Sequence, residues 1–367
     1  MKVRGLALLL AAVLLLSLAA CAAPGSGGAN AAGNAADAVA PDAPAARLFT
    51  DDLGRDVEIP GEISAIVPSG PLAQMVLYAI APECIVGLAS KYYDSARGII
   101  PQEHLDLPYF GQLYDSANLN VEQLAAAGPQ LIVDIGQVMD GGREDLDDLQ
   151  AATQIPSVFL AASLETMPET FRRLGELLNR QEKAEELASF CERVYSRTLG
   201  IMEQVGEDKV DALYILGQEG LNVIARDSYH SQLLDLLTDN VAVVENPSSK
   251  GSGNEVTLEQ IALWDPEFIV FAPDSIYDTA AGLDVWKDLQ AIRSGNYVRA
   301  PQAPHNWLGT PPAVQRYLGL IWFTAVLYPE YCDYDVKAEV LEYYRLFYSC
   351  ELSDERYEEI VSGAFLN

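Results

Sequence analysis

Two stretches of the chain share one order of polar and apolar positions. Residues 120–134 and 257–271 each contain a short amphipathic segment, then a Gly-Pro or Asp-Pro pair, then an apolar run. Each predicts a short helix followed by a buried strand. Because this order returns only after a long interval, it predicts two similar lobes rather than a solenoid of small repeats.

Strand and helix patterns alternate around the first stretch. The predicted elements are a hairpin at 48–60, strands at 63–68, 84–88, 131–135 and 157–160, and helices at 72–81, 120–127 and 143–152. Alternation of short apolar strands with helices predicts a largely parallel sheet.

A long helical pattern at 164–205 follows, with apolar residues at three- and four-residue spacing and charged residues on the other face. It predicts a stiff helical connection between the lobes. The second lobe then repeats the plan, with strands at 210–216, 222–225, 241–244, 268–272 and 296–298, helices at 228–237, 257–264 and 284–291, and a helical C-terminus at 311–327, 335–348 and 353–362. The fold class predicted is therefore α/β, with two Rossmann-like lobes.

The N-terminus has the order of a bacterial lipoprotein signal peptide. Lys2 and Arg4 precede an apolar run at 5–20, which is short for a membrane span of about 20 residues and ends at Cys21. We expect cleavage before Cys21 and lipidation of that cysteine. An ordinary secretory signal and an uncleaved anchor are the alternatives.

The predicted segments run from the signal peptide to the second lobe. They are the signal peptide 1–20, a flexible tether rich in Ala, Gly and Asn at 21–46, the N-terminal lobe 47–165, the helical connection 166–206, and the C-terminal lobe with its helical end 207–367. The tether has almost no large apolar residue and cannot build a core.

Net charge and cysteine spacing argue against several classes of function. A formal net charge of -30 argues against nucleic acid and against adsorption on anionic lipid. The chain has no C-x-x-C pair, so it supports neither a zinc knuckle nor a thioredoxin-type site. Cys332 and Cys350 flank one helical segment and are the best candidates for a disulfide. The alternative is that these two, with Cys84 and Cys191, are small buried hydrophobes.

The loops after the predicted strands should form the ligand site, because open α/β sheets bind ligands at the carboxyl ends of their strands. We expect these loops to face each other across a cleft between the lobes. The first lobe offers Ser69, Gly70, Lys91, Tyr92, Tyr93, Phe110, Tyr114, Gly136 and Gln137, and the second offers Gly217, Gln218, Arg226, Tyr229, Asp274, Ser275, His305, Asn306 and Trp307. The set is aromatic and poor in charge, which suits a ligand with ring surfaces. For any one aromatic residue, core packing or surface cover is the alternative.

His305, in a loop between Pro304 and Trp307, is the best single candidate for a metal ligand; a hydrogen-bonded loop histidine is the alternative. Arg226 or Lys250 could meet an anionic group, whereas Arg316 reads as structural. The chain lacks the G-x-S-x-G, H-E-x-x-H, Walker A and G-x-G-x-x-G motifs, so we expect a binding protein and not an enzyme.

The order of these parts resembles the substrate-binding lipoproteins of ABC importers for iron-siderophores, heme and vitamin B12. The resemblance rests on residues 50–60 (TDDLGRDVEIP), 120–133, 228–242 and 257–266. It implies two α/β lobes joined by a single long rigid helix, with the ligand cleft between them. It also implies a monomer on the outer face of the cytoplasmic membrane, without an intrinsic cofactor, that delivers its ligand to an ABC permease and ATPase.

In this family one exposed glutamate in each lobe engages the permease, which here implies Glu122 and Glu259. The alternative for both is stabilisation of a helix N-terminus, because acidic residues favour the first turn. The resemblance implies a ferric siderophore as ligand, then heme or a corrinoid, then molybdate or tungstate. A competing class is a surface lipoprotein that scavenges, senses or adheres without transport.

Overall fold

The first lobe begins with a hairpin that packs on a small parallel sheet. The computed structural model describes residues 44–112 and 121–366, so Cys21 and Tyr114 lie outside the described residues. Strands β1 (Arg47–Thr50) and β2 (Asp56–Ile59) pair antiparallel, as predicted. The Asp51 carboxylate closes their turn by accepting from the backbone N–H of Leu53 and Arg55.

The parallel sheet of the first lobe has the order β3-β4-β5. Its strands are β3 (Ile66–Pro68), β4 (Leu131–Gly136) and β5 (Ser157–Ala161), and its helices are α1 (Pro71–Ile80), α2 (Gln102–Leu105), α3 (Val121–Ala127) and α4 (Gly142–Thr153). Most residues of the three strands are buried. This matches their near-continuous apolar runs, since helices cover both faces of such a sheet.

The predicted strand at 84–88 is wrong. A single 3₁₀ turn, Pro82–Cys84, opens this segment, and it makes only two isolated bridges, Ile85 to Ile66 and Leu88 to Tyr109. Because its two ends pair with different partners, no continuous ladder forms. Gly87 also lies so close to the Phe110 ring that a Cβ there would be 2.0 Å from it.

The helical stretch between the lobes is two helices, α5 (Met167–Leu178) and α6 (Gln181–Val205), rather than one. Asn179 separates them in the left-handed conformation, with φ of 55°, a common way for a helix to end. The two helices pack tightly on each other, and α6 leads on into the second lobe.

The second lobe contains a mixed sheet of six strands. They are β6 (Asp211–Leu216), β7 (Asn222–Val223), β8 (Asp239–Asn240), β9 (Asn254–Glu255), β10 (Phe268–Phe271) and β11 (Tyr297–Arg299). β11, β10, β6 and β8 are parallel, whereas β7 and β9 extend the sheet antiparallel. The strand predicted at 241–244 is wrong, because the pairing with β6 occurs two residues earlier, at β8.

Helices surround this second sheet and continue to the C-terminus. They are α7 (Gln232–Leu237), α8 (Leu258–Trp264), α9 (Gln290–Ser294), α10 (Arg316–Leu327), α11 (Val336–Tyr348) and α12 (Asp354–Ile360). The helix predicted at 284–291 is wrong, because the segment forms a 3₁₀ turn, Trp286–Asp288, followed by the short α9. α11 packs against α1 and α6, so the helical C-terminus contacts both lobes.

The predicted disulfide between Cys332 and Cys350 is also wrong. Both cysteines are free. The Cys332 thiol lies 3.6 Å from the Tyr334 hydroxyl, and the Cys350 thiol lies 3.7 Å from the carbonyl oxygen of Gly98. The two side chains are therefore held by different neighbours.

Two tyrosines of the second lobe bond directly to the first. The Tyr229 hydroxyl donates to the Ala162 carbonyl at 2.9 Å, and the buried Tyr317 hydroxyl donates to the Leu164 carbonyl at 2.7 Å. Both carbonyls lie just beyond β5, so the carboxyl edge of the first sheet is tied to the second lobe. Across the described ranges 44–112 and 121–366, no helix combines the length and the apolar character that a bilayer crossing requires.

Candidate ligand-binding cleft

A cavity of about 540 Å³ lies where the parallel strands of the second lobe end. Its lining residues come from the segments after β6, β10 and β11, from the glycine-rich loop before β9, and from the first lobe. They are Tyr93, Tyr214, Leu216, Gly217, Asn222, Gly251, Ser252, Ala272, Pro273, Asp274, Gln302, Asn306 and Thr310. Its position fits the carboxyl-edge rule for open α/β sheets, and its volume lies within the roughly 300–1,000 Å³ typical of small-molecule sites. We call it the cleft cavity.

A buried polar pair forms the floor of the cleft cavity. The Asn306 amide donates to the Tyr214 hydroxyl at 2.9 Å, and the Asn306 carbonyl oxygen accepts from the backbone N–H of Leu308 at 2.8 Å. These bonds fix the orientation of the amide. Burial raises the pKa of Tyr214, and the nearby Asp274 carboxylate adds to the rise. The phenol therefore stays protonated and can act as a hydrogen-bond donor.

His230 connects two walls of the cleft cavity. One ring nitrogen lies 3.3 Å from the Gly309 carbonyl oxygen and the other 3.2 Å from the Ser249 carbonyl oxygen. Gly251 packs so closely on this ring and on Thr310 that a Cβ would lie 3.0 Å from the Thr310 methyl group. Burial lowers the pKa of His230, and its two carbonyl neighbours partly oppose that shift. The ring thus connects the glycine-rich loop to the turn that precedes α10.

A second cavity of about 490 Å³ lies along the contact between the lobes. Gln137 reaches it from the first lobe, and Tyr229 from the second. Three carboxylates, Glu165, Asp227 and Asp235, also line it. A larger cavity, of about 880 Å³, lies elsewhere, between α1, the segment before α2, and the facing ends of α6 and α11. It is away from the strand ends that define the cleft.

Of the residues predicted for the site in the first lobe, Tyr93 lines the cleft cavity. Ser69 is buried and its hydroxyl donates to the Asp134 carboxylate in β4. Lys91 is exposed, with its ammonium 5.4 Å from the centre of the Tyr109 ring. Tyr92 is partly buried, and its ring packs against the ring of His305.

Two predicted aromatic residues lie in the core. Phe110 is buried among the apolar residues behind the first sheet. Trp307 is fully buried, with its ring centre 6.3 Å from that of Trp322. Phe110 and Trp307 therefore pack in the core, which is the alternative to a place in the ligand site. Sequence spacing did not separate them from Tyr93, because all three follow a predicted strand or a proline-rich loop.

His305 is buried beside Tyr92, with 5.6 Å between the ring centres. Burial lowers its pKa to about 4, so the ring is neutral at pH 7. Within the described part of the chain, no group of three or more His, Cys, Asp and Glu side chains is arranged to hold a metal ion. The metal role of His305 stays a prediction.

The predicted polar residues of the second lobe point to different places. The Arg226 guanidinium donates to the Asn240 carbonyl at 2.6 Å and lies 3.9 Å from Asp239. Gln218 is exposed on the loop after β6. Arg316 is fully buried and donates to the Gln232 side chain at 2.8 Å. Tyr214 and Gln302 are cleft residues that the sequence did not indicate, because Tyr214 lies within an apolar strand.

Glu122 and Glu259 occupy equivalent positions in the two lobes. Each is exposed and lies in the first turn of the helix that precedes a central strand, α3 before β4 and α8 before β10. In α8 the Thr257 hydroxyl accepts from the backbone N–H of Gln260 at 3.2 Å and so caps the helix. The two glutamates therefore hold the same place in the order of helix and strand in each lobe.

Two α/β lobes joined by a long helix, with a polar and aromatic cavity at the strand ends between them, define a bilobal solute-binding protein. The family model described as periplasmic binding protein matches residues 103–304. The chain belongs to this family, whose members are extracytoplasmic solute-binding proteins of transport systems.

Solved structures agree with this assignment. An ABC transporter solute binding protein from Sulfurospirillum deleyianum DSM 6946 is 27% identical, with a TM-score of 0.78 over 86% of this chain and 98% of that chain. A periplasmic solute binding protein from Veillonella parvula DSM 2008 is 22% identical, with a TM-score of 0.71 over 87% and 98%. The Haemophilus influenzae molybdate-binding protein MolA is 19% identical, with a TM-score of 0.67 over 84% and 99%. The last two show the fold alone. No curated protein matches the chain.

Proposed function

We propose that this protein captures an iron complex, a ferric siderophore, in the cleft cavity and delivers it to an ABC permease. The observation that carries the proposal is the cavity at the carboxyl ends of the second sheet, which Tyr93 of the first lobe completes. Its aromatic, hydroxyl and amide groups suit a chelate with apolar surfaces and oxygen acceptors. Heme or a corrinoid for the same kind of importer is the second candidate. We assign the protein binding and not catalysis.

We further propose that Glu122 and Glu259 dock the protein on the permease. Both are exposed, and each lies in the first turn of the helix that precedes a parallel strand of its lobe. A donor protein has to present its cleft to the translocation path, and one charged group in each lobe fixes a single orientation. Paired charges of this kind determine register and association rate more than affinity. A lipid on Cys21 would hold the protein close to its permease.

Uptake of iron complexes by cells tests this function. Glu122→Arg with Glu259→Arg should abolish uptake and leave ligand affinity unchanged, because neither residue lines the cleft cavity. The control is Glu169→Arg with Glu182→Arg, since these are also exposed glutamates in first helical turns. Uptake that survives the first pair would contradict the docking role.

The ligand is tested on protein purified from its natural host or exposed to candidate complexes. We expect a native mass and an absorption band of a bound ferric complex, and a higher melting temperature with ferric siderophores. A Soret band would favour heme instead. A colourless protein that responds to no ferric siderophore, hemin or cobalamin would contradict both candidates and leave molybdate or tungstate transport, or a non-transport surface role.

A further inference from the structure

The charge of the cleft cavity is the feature that separates one class of iron complex from another. Among the lining residues that the structure describes, there is no lysine or arginine, and Asp274 brings a carboxylate to the rim. The cavity therefore presents negative charge and neutral hydrogen-bonding groups to a ligand.

Four arginines around the cavity do not line it. Arg299 and Arg356 adjoin the cavity residues Pro273 and Gln302 and are bonded to other groups, the first to Ser362 and Asp278 and the second to Ser95 and Glu359. Arg226 is engaged by the Asn240 carbonyl and Asp239. Arg316 is fully buried, with its guanidinium under the Tyr229 ring at 5.5 Å and bonded to Gln232. Gly309 closes the other side, since a Cβ there would lie 2.8 Å from the Arg316 side chain. The Arg316 side chain is therefore buried and is not part of the cavity lining.

Two lysines lie near the cavity without forming its wall. Lys91 is exposed and packs over the Tyr109 ring, and Lys250 is exposed next to Gly251 in the glycine-rich loop. Neither is a lining residue. The whole chain carries a formal charge of -30, so the long-range field also repels anions and attracts cations.

We infer that the cleft selects ferric complexes of neutral or positive charge, as tris-hydroxamates form, over triply negative tris-catecholates and over oxyanions, and that Asp274 is a specificity-determining residue. This inference rests on the proposed function. Asp274 would face the positively charged group of such a ligand, while the protonated Tyr214 phenol donates to a neutral oxygen of the chelate. A triply negative ligand would instead place its charge beside the Asp274 carboxylate, and such a juxtaposition of like charges costs binding energy.

Binding titrations of the intact protein with ligands of graded charge test this inference. The probes are ferrioxamine B, which is singly positive, ferrichrome, which is neutral, ferric enterobactin, which is triply negative, and molybdate. We expect both hydroxamates to bind roughly tenfold or more tightly than the two anions. Asp274→Asn should weaken ferrioxamine B by about two- to fivefold, the effect of a partly exposed ion pair, and leave ferrichrome unchanged.

Asp211→Asn is the matched control, because it removes the same charge from an exposed aspartate at the start of β6 that does not line the cavity. Enterobactin or molybdate binding as tightly as the hydroxamates would overturn the inference while leaving the importer function intact. Equal binding of ferrioxamine B by the wild type and Asp274→Asn would overturn the role of Asp274. Failure of all the iron complexes to bind would overturn the inference and the proposed function together.

Discussion

His305 has the sequence features of a ligand-binding residue, but in the structure it is a buried residue that packs between the lobes. It is polar, and it lies between prolines in a loop beyond the last strand of the second sheet, which is where ligand residues are found. Its side chain instead packs against Tyr92 in a buried setting, and burial lowers its pKa to about 4. The residue joins the first lobe to the second by an aromatic contact.

The buried His305 makes stability fall with acid. Since its folded-state pKa lies below the ordinary value of 6.5, the unfolded chain binds the proton more readily. Its contribution is complete above that ordinary value and is lost as pH falls from about 6.5 towards about 4. Between pH 7 and about pH 5.5, where most carboxylates remain ionised, one such histidine should lower the free energy of unfolding by roughly 1 kcal/mol.

Urea unfolding at those two pH values measures this loss. His305→Phe keeps an aromatic ring against Tyr92 and cannot titrate, so it should reduce the pH dependence by that amount. His104, whose pKa burial also lowers to about 4, supplies a similar dependence that the variant retains. An unchanged slope in His305→Phe would show that the ring is accessible to protons in the folded state.

At the residue level, the sequence indicates the location of the cavity more accurately than it indicates the side chains that line it. Strand-exit positions placed Gly217, Asp274 and Asn306 in loops that line the cleft cavity, because chain order determines the sheet edge. Tyr93 also lines the cavity, although the strand predicted before it does not form. The sequence could not tell the exposed Tyr93 from the buried Trp307, because burial depends on neighbours such as Trp322 that are distant along the chain. It also missed Tyr214, whose polar end emerges from an apolar strand.

Among the secondary-structure elements, the α5–α6 pair differs most from its sequence pattern, which is that of one continuous helical stretch. The three- and four-residue spacing of apolar residues continues through 164–205, and this pattern predicts one helical stretch. Asn179 interrupts it, and Arg180 turns the chain so that α6 folds back along α5. Arg172 of α5 then pairs with Glu185 and Glu192 of α6. A left-handed asparagine leaves no periodicity signal, so the break was not visible in the sequence.

The two glycines of this helical pair should respond oppositely to alanine. A Cβ at Gly175 would lie 2.5 Å from the Ala184 Cβ, whereas a Cβ at Gly200 would have nothing within 4 Å. Gly200→Ala should therefore raise the free energy of unfolding by roughly 0.5–1 kcal/mol through helix propensity. Gly175→Ala should lower it by about 1–3 kcal/mol, because overpacking outweighs that gain.

Denaturant unfolding of the two variants at one pH decides the matter, and each variant serves as the control for the other. A gain in stability from both would mean that α5 and α6 can move apart without cost. A loss from both would mean that α6 is strained at Gly200.

For the whole molecule, the alternation of helices and strands was enough to predict two lobes, because each lobe contains its own sheet. The extent of their coupling was not predictable. One apolar cluster runs from Phe49 and α1 in the first lobe, through α5 and α6, to Trp322 and Tyr343 at the C-terminus. It depends on α10 and α11, whose packing against α1 and α6 joins positions far apart in sequence.

A continuous core predicts that the two lobes unfold together. All four tryptophans, at positions 264, 286, 307 and 322, lie in the second lobe, so tryptophan fluorescence reports on that lobe while far-ultraviolet circular dichroism reports on both. We expect the two signals to give the same denaturation midpoint.

Tyr317→Phe removes a buried hydroxyl and leaves the Leu164 carbonyl of the first lobe unpaired, which should cost roughly 1–3 kcal/mol and shift both midpoints equally. Tyr331→Phe, an exposed tyrosine, should shift neither. Separate midpoints in the wild type, or a fluorescence midpoint in Tyr317→Phe that moves alone, would mean that the lobes fold as independent units despite their shared core.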